Sequence, residues 1–448
     1  MSHDLSHLAH HLLDLAQKAG ADAADVLAAE GVSQSIEVRA GQLDQIERAE
    51  GIDLGLRVLV GTRQACVSAS DPREATLATL AERAVTMARL APEDPTAGLA
   101  DPSELATDTD MSALDLVDDS PAPSPDELLD RARAAEAAAL AHKGISQVEM
   151  AGAYASDSRV HMAMSNGFSA GYRRTGHAQH CVAVAGTGTR MERDSHGDSR
   201  SHLSDLESAA HIGDLAATRA LARIGAQKPP TGTYPVLYDE RIAGGLIGHL
   251  LAAINGMSIA RGDSWLKDAM GERVLPEGLD LTCAPHRPRT TSARLFDAEG
   301  LPTRALPLVA DGVLQSWVLD LSTARKLGLE STGHAARGTS SPPRPAVGNL
   351  TMTQGTASRE DLIRDMGTGL IVTGLIGSTI NSSTGDYSRG INGFWVENGE
   401  ITGPVQECTI AGNLRDMLAR VIPANDARTH LSRVVPSLLV EGMTVAGN

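Results

Sequence analysis

The chain has 448 residues, 42% of them hydrophobic and only 2% aromatic, enough apolar material for two or three cores built on Leu, Val, Ile and Ala. Its 39 basic and 56 acidic residues leave a formal net charge of −17, and no basic run offsets that field, which argues against a nucleic-acid partner. No apolar run reaches the ~18–20 residues that span a bilayer, and Asp4 stands where a secretory signal carries basic residues. Cys66, Cys181, Cys283 and Cys408 are far apart and form no CxxC pair, which reads as reduced thiols and a cytoplasmic location.

In chain order, Leu5, Leu8, Leu12 and Leu15 recur every three or four residues and predict an amphipathic helix over 4–19 that ends at Gly20. From Val32 to Ser70 the pattern alternates, with turn residues at Ala40-Gly41 and Gly61-Thr62, and predicts an antiparallel meander. Asp71 reads as the N-cap of a second helix with Pro72 at its first position. After an acidic, Pro-rich loop, Ser124, Pro125 and Glu127 make a capping box for a helix that Gly144 stops. A second meander over about 146–194 takes Asn166-Gly167 as a type I′ turn, and a helix follows over about 203–224. Strands then helix, twice over, hint at an internal duplication. Pro229, Pro230 and Gly232 break the chain before a strand restarts at Tyr234. Beyond it come a helix in GGLIGHLLAAI, an irregular stretch to about 290, a short capped helix over 358–367 and a hairpin turning at Asn398-Gly399. The expected class is α+β. An N-terminal α+β domain covers 1–228, with sub-regions of about 1–95 and 120–228 joined by the acidic loop. A β-rich domain covers 232–448.

Several motifs invite chemistry. The one GxSxG, at 167–171, lacks the strand-to-helix turn that a serine nucleophile needs, because a turn precedes Ser169 and a strand pattern follows it. His3, His7, His10 and His11 share helical spacings, and a solvated helix face is the plain reading. His177 and His180 fall on opposite faces of a strand and cannot chelate together. Glu192, Asp194 and His196 alternate onto one face near Asp198, in what reads as a solvated strand end and loop. GTGLIVTGLIGS follows a helix rather than a strand, so it is not a phosphate-binding loop. A zinc peptidase needs two neutral imidazoles on the metal and a carboxylate to take the proton of its water. None of the 15 histidines is followed by Glu, and Leu250, Ala253 and Ile254 after His249 offer no ligand.

Two stretches, FDAEGLPTRALPLVADGVLQSWVLDLSTARKLGLESTGHA and STGDYSRGINGFWVENGEITGPVQECTIAGNL, carry a resemblance to the TldD/PmbA family, on its PmbA (TldE) side, and the similarity runs through the whole chain. The resemblance implies a two-subunit metallopeptidase acting on unfolded or modified peptides, with an older association with DNA gyrase modulation. Its TldD-type subunit carries zinc on an HExxxH helix plus a cysteine near the C-terminus. Matched to that pattern, Gly248 and Ala253 stand at the histidines, His249 at the glutamate and Val435 at the cysteine. No catalytic residue and no metal are then expected in this chain, and zinc is expected in a TldD-type partner. The implied role is to help form a substrate chamber and bind extended peptides by edge-strand pairing. Thr373, Gly374, Gly377, Gly385, Asp386, Tyr387 and Arg389 are the candidate peptide-binding residues, with the two glycines admitting another backbone and Asp386 and Arg389 fixing chain ends. An independently acting hydrolase, or a peptide-binding homodimer without a protease partner, remains the alternative.

Overall fold

The computed structural model describes residues 3–448, the side chain of Ser378 apart. The first helix, α1 (Leu5–Ala19), is capped by the Asp4 carboxylate, which accepts from His7 N, and ends at Gly20 in the left-handed region. Three long strands follow: β1 (Ala23–Arg39), β2 (Gln42–Val60) and β3 (Arg63–Ala69). The first begins earlier than the alternation suggests. Ala24, Val26 and Ala28 are buried beneath helices, so tertiary packing overrides the helical preference of their alanines.

The second helix, α2 (Glu74–Leu90), starts later than expected, with Arg73 at its N-cap. The Asp71 carboxylate is already taken by the Arg73 backbone and guanidinium and by the Thr76 hydroxyl, which keeps Pro72-Arg73 outside the helix. The loop then leads to α3 (Pro125–Leu140), which has the expected Ser124–Glu127 capping box. Next come β4 (Ile145–Met164), β5 (Ser169–Ala185), β6 (Glu192–Arg200) and α4 (Ala209–Ala222). The β4–β5 turn is not type I′: Gly167 alone has positive φ, and its N–H bonds Met164 O. Asn166 instead spends its amide on Ala100 O. The last helix of this half is shorter than expected because Leu203–Asp205 forms a separate 3-10 turn and Ser208 caps the helix after it.

The six strands form one antiparallel sheet in the order β3-β2-β1-β4-β5-β6. Helix, three strands, helix occurs twice, and the copies meet where β1 pairs with β4. Helices α1 and α2 pack on one end of the sheet, and α3 and α4 on the other.

After residue 222 the chain crosses to β7 (Gly232–Tyr238), central in a second six-stranded sheet, and then α5 (Glu240–Ala253). Strand β7 runs parallel to Gly369–Ile380, which pairs with Asp386–Glu397 and through it with Glu400–Asn413. The Asn398-Gly399 hairpin is as expected, with both residues at positive φ. Leu438–Ala446 pairs with β7 and with Glu400–Asn413, curling the sheet towards a barrel. The apolar face of α5 (Leu246, Ile247, Leu250) joins the core of that sheet.

Candidate functional site

Helix α5 follows directly from β7. Asp239 caps it by accepting from Arg241 N, and the run of Leu and Ile behind that cap drives its inner face into the core. His249 faces the strand Asp386–Glu397, with its ring 5.7 Å from that of Tyr387, edge to face. Burial, and then the Arg389 cation, lower its pKa. Tyr387 is buried and meets Tyr238, at the end of β7, through its hydroxyl. Arg389 projects from the same side of the strand, and its buried Nε has no hydrogen-bond partner. His249 and, more than a hundred residues further on, Tyr387 and Arg389 thus converge around α5. Tyr238 completes the group and gave no signal in the sequence beyond closing a strand.

The four positions matched to a metal site do not fit a zinc ion. A Cβ at Gly248 would lie 3.7 Å from the Arg433 guanidinium, so a cation stands where a ligand would be. Ala253 and Val435 are buried apolar side chains of the core. His249 is the one imidazole on α5, and Glu240, the one carboxylate, pairs with Arg428 at 2.7 Å.

The candidate peptide-binding residues divide. Gly374 admits no second backbone: a Cβ there would meet the Asn392 side chain at 2.5 Å. Thr373 Oγ1 also reaches Asn392 Oδ1, at 3.5 Å. Gly377 has φ +65 and open space around it. Gly385 turns the chain at φ +81 against Trp265. Asp386 accepts from Thr384 Oγ1 and Asn413 Nδ2, which hold its carboxyl below the usual range, so it serves the turn rather than a ligand. One edge of Gly369–Ile380 lacks a strand partner over most of its length, although Thr373 on it is buried and α5 packs against the strand. Its register with β7 covers only Leu370 to Val372, and from Thr373 onward no strand pairs on that side among the described residues. Ile376 on this stretch is 62% exposed.

The other sequence candidates lie elsewhere. Ser169 opens β5, exposed, with Oγ 3.0 Å from His161 Nε2. His7 and His11 stack at 6.2 Å, and His11 is held by Glu74. Glu192, Asp194, His196 and Asp198 do share a face, but it is not solvated. Asp194 pairs with Arg241 of α5, and Asp198 lies 3.6 Å from His430, so the row ties the two halves together. Among the described residues one His/Asp/Glu group has ligand atoms close enough for a metal: His196, Glu207 and His211. Arg219 donates to His196 Nδ1 at 2.9 Å, which puts the ring proton on the Nε2 facing Glu207 and makes that nitrogen a hydrogen-bond donor rather than a ligand. All four cysteines are free, and burial pushes the thiols of Cys181 and Cys283 up to about 12.

Family models for the PmbA/TldA metallopeptidases match three successive parts of the chain: domain 1 over 24–88, the central domain over 118–224 and the C-terminal domain over 231–447. The chain belongs to the PmbA/TldD metallopeptidase family. Within the PmbA branch, it is 36% identical to the Metalloprotease PmbA of Escherichia coli O157:H7 over 429 residues, covering 95% of this chain and 92% of that one. A PmbA homologue of Haemophilus influenzae is 32% identical over 440 residues, with 97% and 94% covered. A crystal structure from Bacteroides thetaiotaomicron, named for DNA gyrase modulation, superposes with a TM-score of 0.91 at 28% identity over 100% of both chains. The TldE structure from Thermococcus kodakarensis shares the fold, at a TM-score of 0.84 and 20% identity over 98% of this chain and 99% of that one. No helix among the described residues is long and apolar enough to cross a membrane.

Proposed function

We propose that this chain is the substrate-holding subunit of a cytoplasmic two-subunit zinc peptidase, and that a TldD-type partner supplies the metal and the catalytic base. The observation that carries the reading is the edge of Gly369–Ile380, without a strand partner from Thr373 onward among the described residues, beside an α5 that lacks a second imidazole and a free carboxylate. Such an edge recognises any extended peptide through its main chain, with little regard for sequence. The unpartnered Nε of Arg389, near His249, supports this reading as a donor to a peptide carbonyl or a terminal carboxylate. Extended, unfolded chains are the substrates this chemistry favours, because edge pairing needs a free backbone.

The test is cleavage of a disordered reporter peptide by this chain, by a zinc-bearing TldD-type subunit, and by the mixture. Only the mixture should cleave, and the pair should stay together through size-exclusion chromatography, since a stable interface buries more than ~1,200 Å². A partner that cleaves equally well alone would remove the subunit role. Cleavage by this chain alone would replace it with independent hydrolysis, which the name metalloprotease on its relatives favours.

A further inference from the structure

The two helix pairs cover the ends of the first sheet and leave its middle open on the same face. On β1, Val26 and Ala28 lie under α1 and α2, and Ile36 lies under Leu128 of α3. Between them, at the same strand parity, Glu30, Val32 and Gln34 line a cavity of about 390 Å³. The register carries its floor across the sheet, from Val32 to Asp157 and Thr175, and from Gln34 to Ala155 and His177. This is the size of a small-molecule site. It lies where the two copies of the helix–strands–helix unit meet.

The cavity floor is polar, with the carboxylates of Asp118 and Asp157 each held by neighbouring donors, and one group on it is unmet. His177 is 5% exposed, and neither ring nitrogen makes a hydrogen bond. The nearest acceptor, Asp118 Oδ2, is 3.5 Å from Nε2. Asp118 is itself satisfied by the backbone N–H groups of Leu203 and Ser120. Thr175 is likewise satisfied, between Asp118 N and Ser201 O. A buried imidazole without partners costs free energy that a bound polar ligand recovers.

The rim carries both signs of charge. Arg173 is closed bidentate onto Asp157, and Glu30 is held by His3 at 2.8 Å. Among the described residues Arg48 and Glu50 are paired with each other alone, at 3.3 Å, and both are more than half exposed. A surface pair of this kind exchanges for other partners at little cost. A ligand carrying a single charge would leave one member of that pair unanswered.

We propose that this cavity binds a small zwitterion, an amino acid or dipeptide with free ends, which hydrogen-bonds to His177 at the floor and meets Arg48 with its carboxylate and Glu50 with its ammonium. The site lies on the first sheet and does not involve α5 or the edge of Gly369–Ile380, so it stands or falls separately from the peptidase reading.

The experiment is calorimetric titration of the full chain with Ala-Ala, N-acetyl-Ala-Ala and Ala-Ala amide. Ala-Ala should bind, and each cap should weaken binding about tenfold, the scale of one charge-assisted hydrogen bond. Arg48→Gln should weaken Ala-Ala by a similar factor and leave the amide unchanged, and His177→Phe should abolish binding by filling the floor. No heat from Ala-Ala at millimolar concentration, equal binding of the capped peptides, or unchanged affinity in the variants would each overturn the proposal. If His177→Phe is misfolded by circular dichroism, Arg48→Gln decides, because its exposed side chain is not needed for packing.

Discussion

His249 shows how much one residue's meaning depends on its neighbours. An exposed histidine titrates near 6.5. Here burial, and then Arg389, hold the ring below that value. Its NMR-detected titration should therefore have a midpoint below 6.5, and Arg389→Gln should move it upward by removing a cation. A midpoint above 6.5 would mean that a carboxylate or a metal-bound anion has been missed. The protein should also lack a full equivalent of zinc after mild dialysis, with His249→Phe leaving its metal content unchanged. Ser169 is a second residue whose motif suggests more than its setting allows. It is exposed at the start of a strand, its side-chain partner among the described residues is His161, and the turn before it leads into a strand rather than a helix. Ser169→Ala should keep the activity of a reconstituted complex within about threefold, against the far larger losses that follow removal of a true nucleophile.

At the scale of elements, the join between the halves includes one close backbone approach. A Cβ at Gly55 of β2 would fall 2.2 Å from Thr339 O and 2.5 Å from Thr339 Cα, backbone atoms that cannot swing aside. Beside it, Asp25 of β1 holds Arg57 of β2 at 2.5 Å and also pairs with Arg337 from the C-terminal half. Gly55→Ala should lower stability by about 1–3 kcal/mol or more in urea unfolding. Gly51→Ala, four residues earlier on the same strand with nothing within 4 Å, should be close to neutral. Equal effects of the two substitutions would show that Thr339 does not pack there. Nothing in the pattern GIDLGLRV distinguishes Gly55 from Gly51. Only the fold brings residue 339 against one of them.

For the whole molecule, the same seam makes stability depend on pH. Glu299 is 3% exposed, accepts from Leu321 N, and has its pKa raised to about 8 by burial first and then by the neighbouring Asp297. The folded value lies above the unfolded one of 4.5, so the folded chain binds this proton more tightly. That contribution is fully present below pH 4.5 and is lost as pH rises towards 8. Glu299→Gln keeps a neutral side chain at every pH. It should match the parent in acid and become the more stable of the two as pH rises towards 8, by a margin that grows with pH. Urea unfolding at pH 4.5, 6 and 8 measures the difference. A gap that does not grow with pH would mean the carboxyl is ionised throughout.

Local rules in the sequence were enough to determine the α+β class, the Gly20 stop of α1, the capping box of α3, the Asn398-Gly399 hairpin and the strand–helix order of the first half. These depend on neighbours three or four positions apart, and a periodicity or a cap records them directly. The family was legible too, because long stretches near residues 296–335 and 383–414 carry it. The absence of a second imidazole near His249 could also be read from the order of residues alone. The tertiary structure decided the rest. It placed His249 against Tyr387 and Arg389, gave Gly374 to Asn392, spent Asp386 on its own turn, and converted the acidic row of β6 into a seam of ion pairs. It also left His177 without partners in a cavity between two helix pairs. Each of these depends on which side chains meet once the chain has folded, some across more than a hundred residues and others across a single hairpin or turn, where packing sets the outcome and the local pattern does not report it.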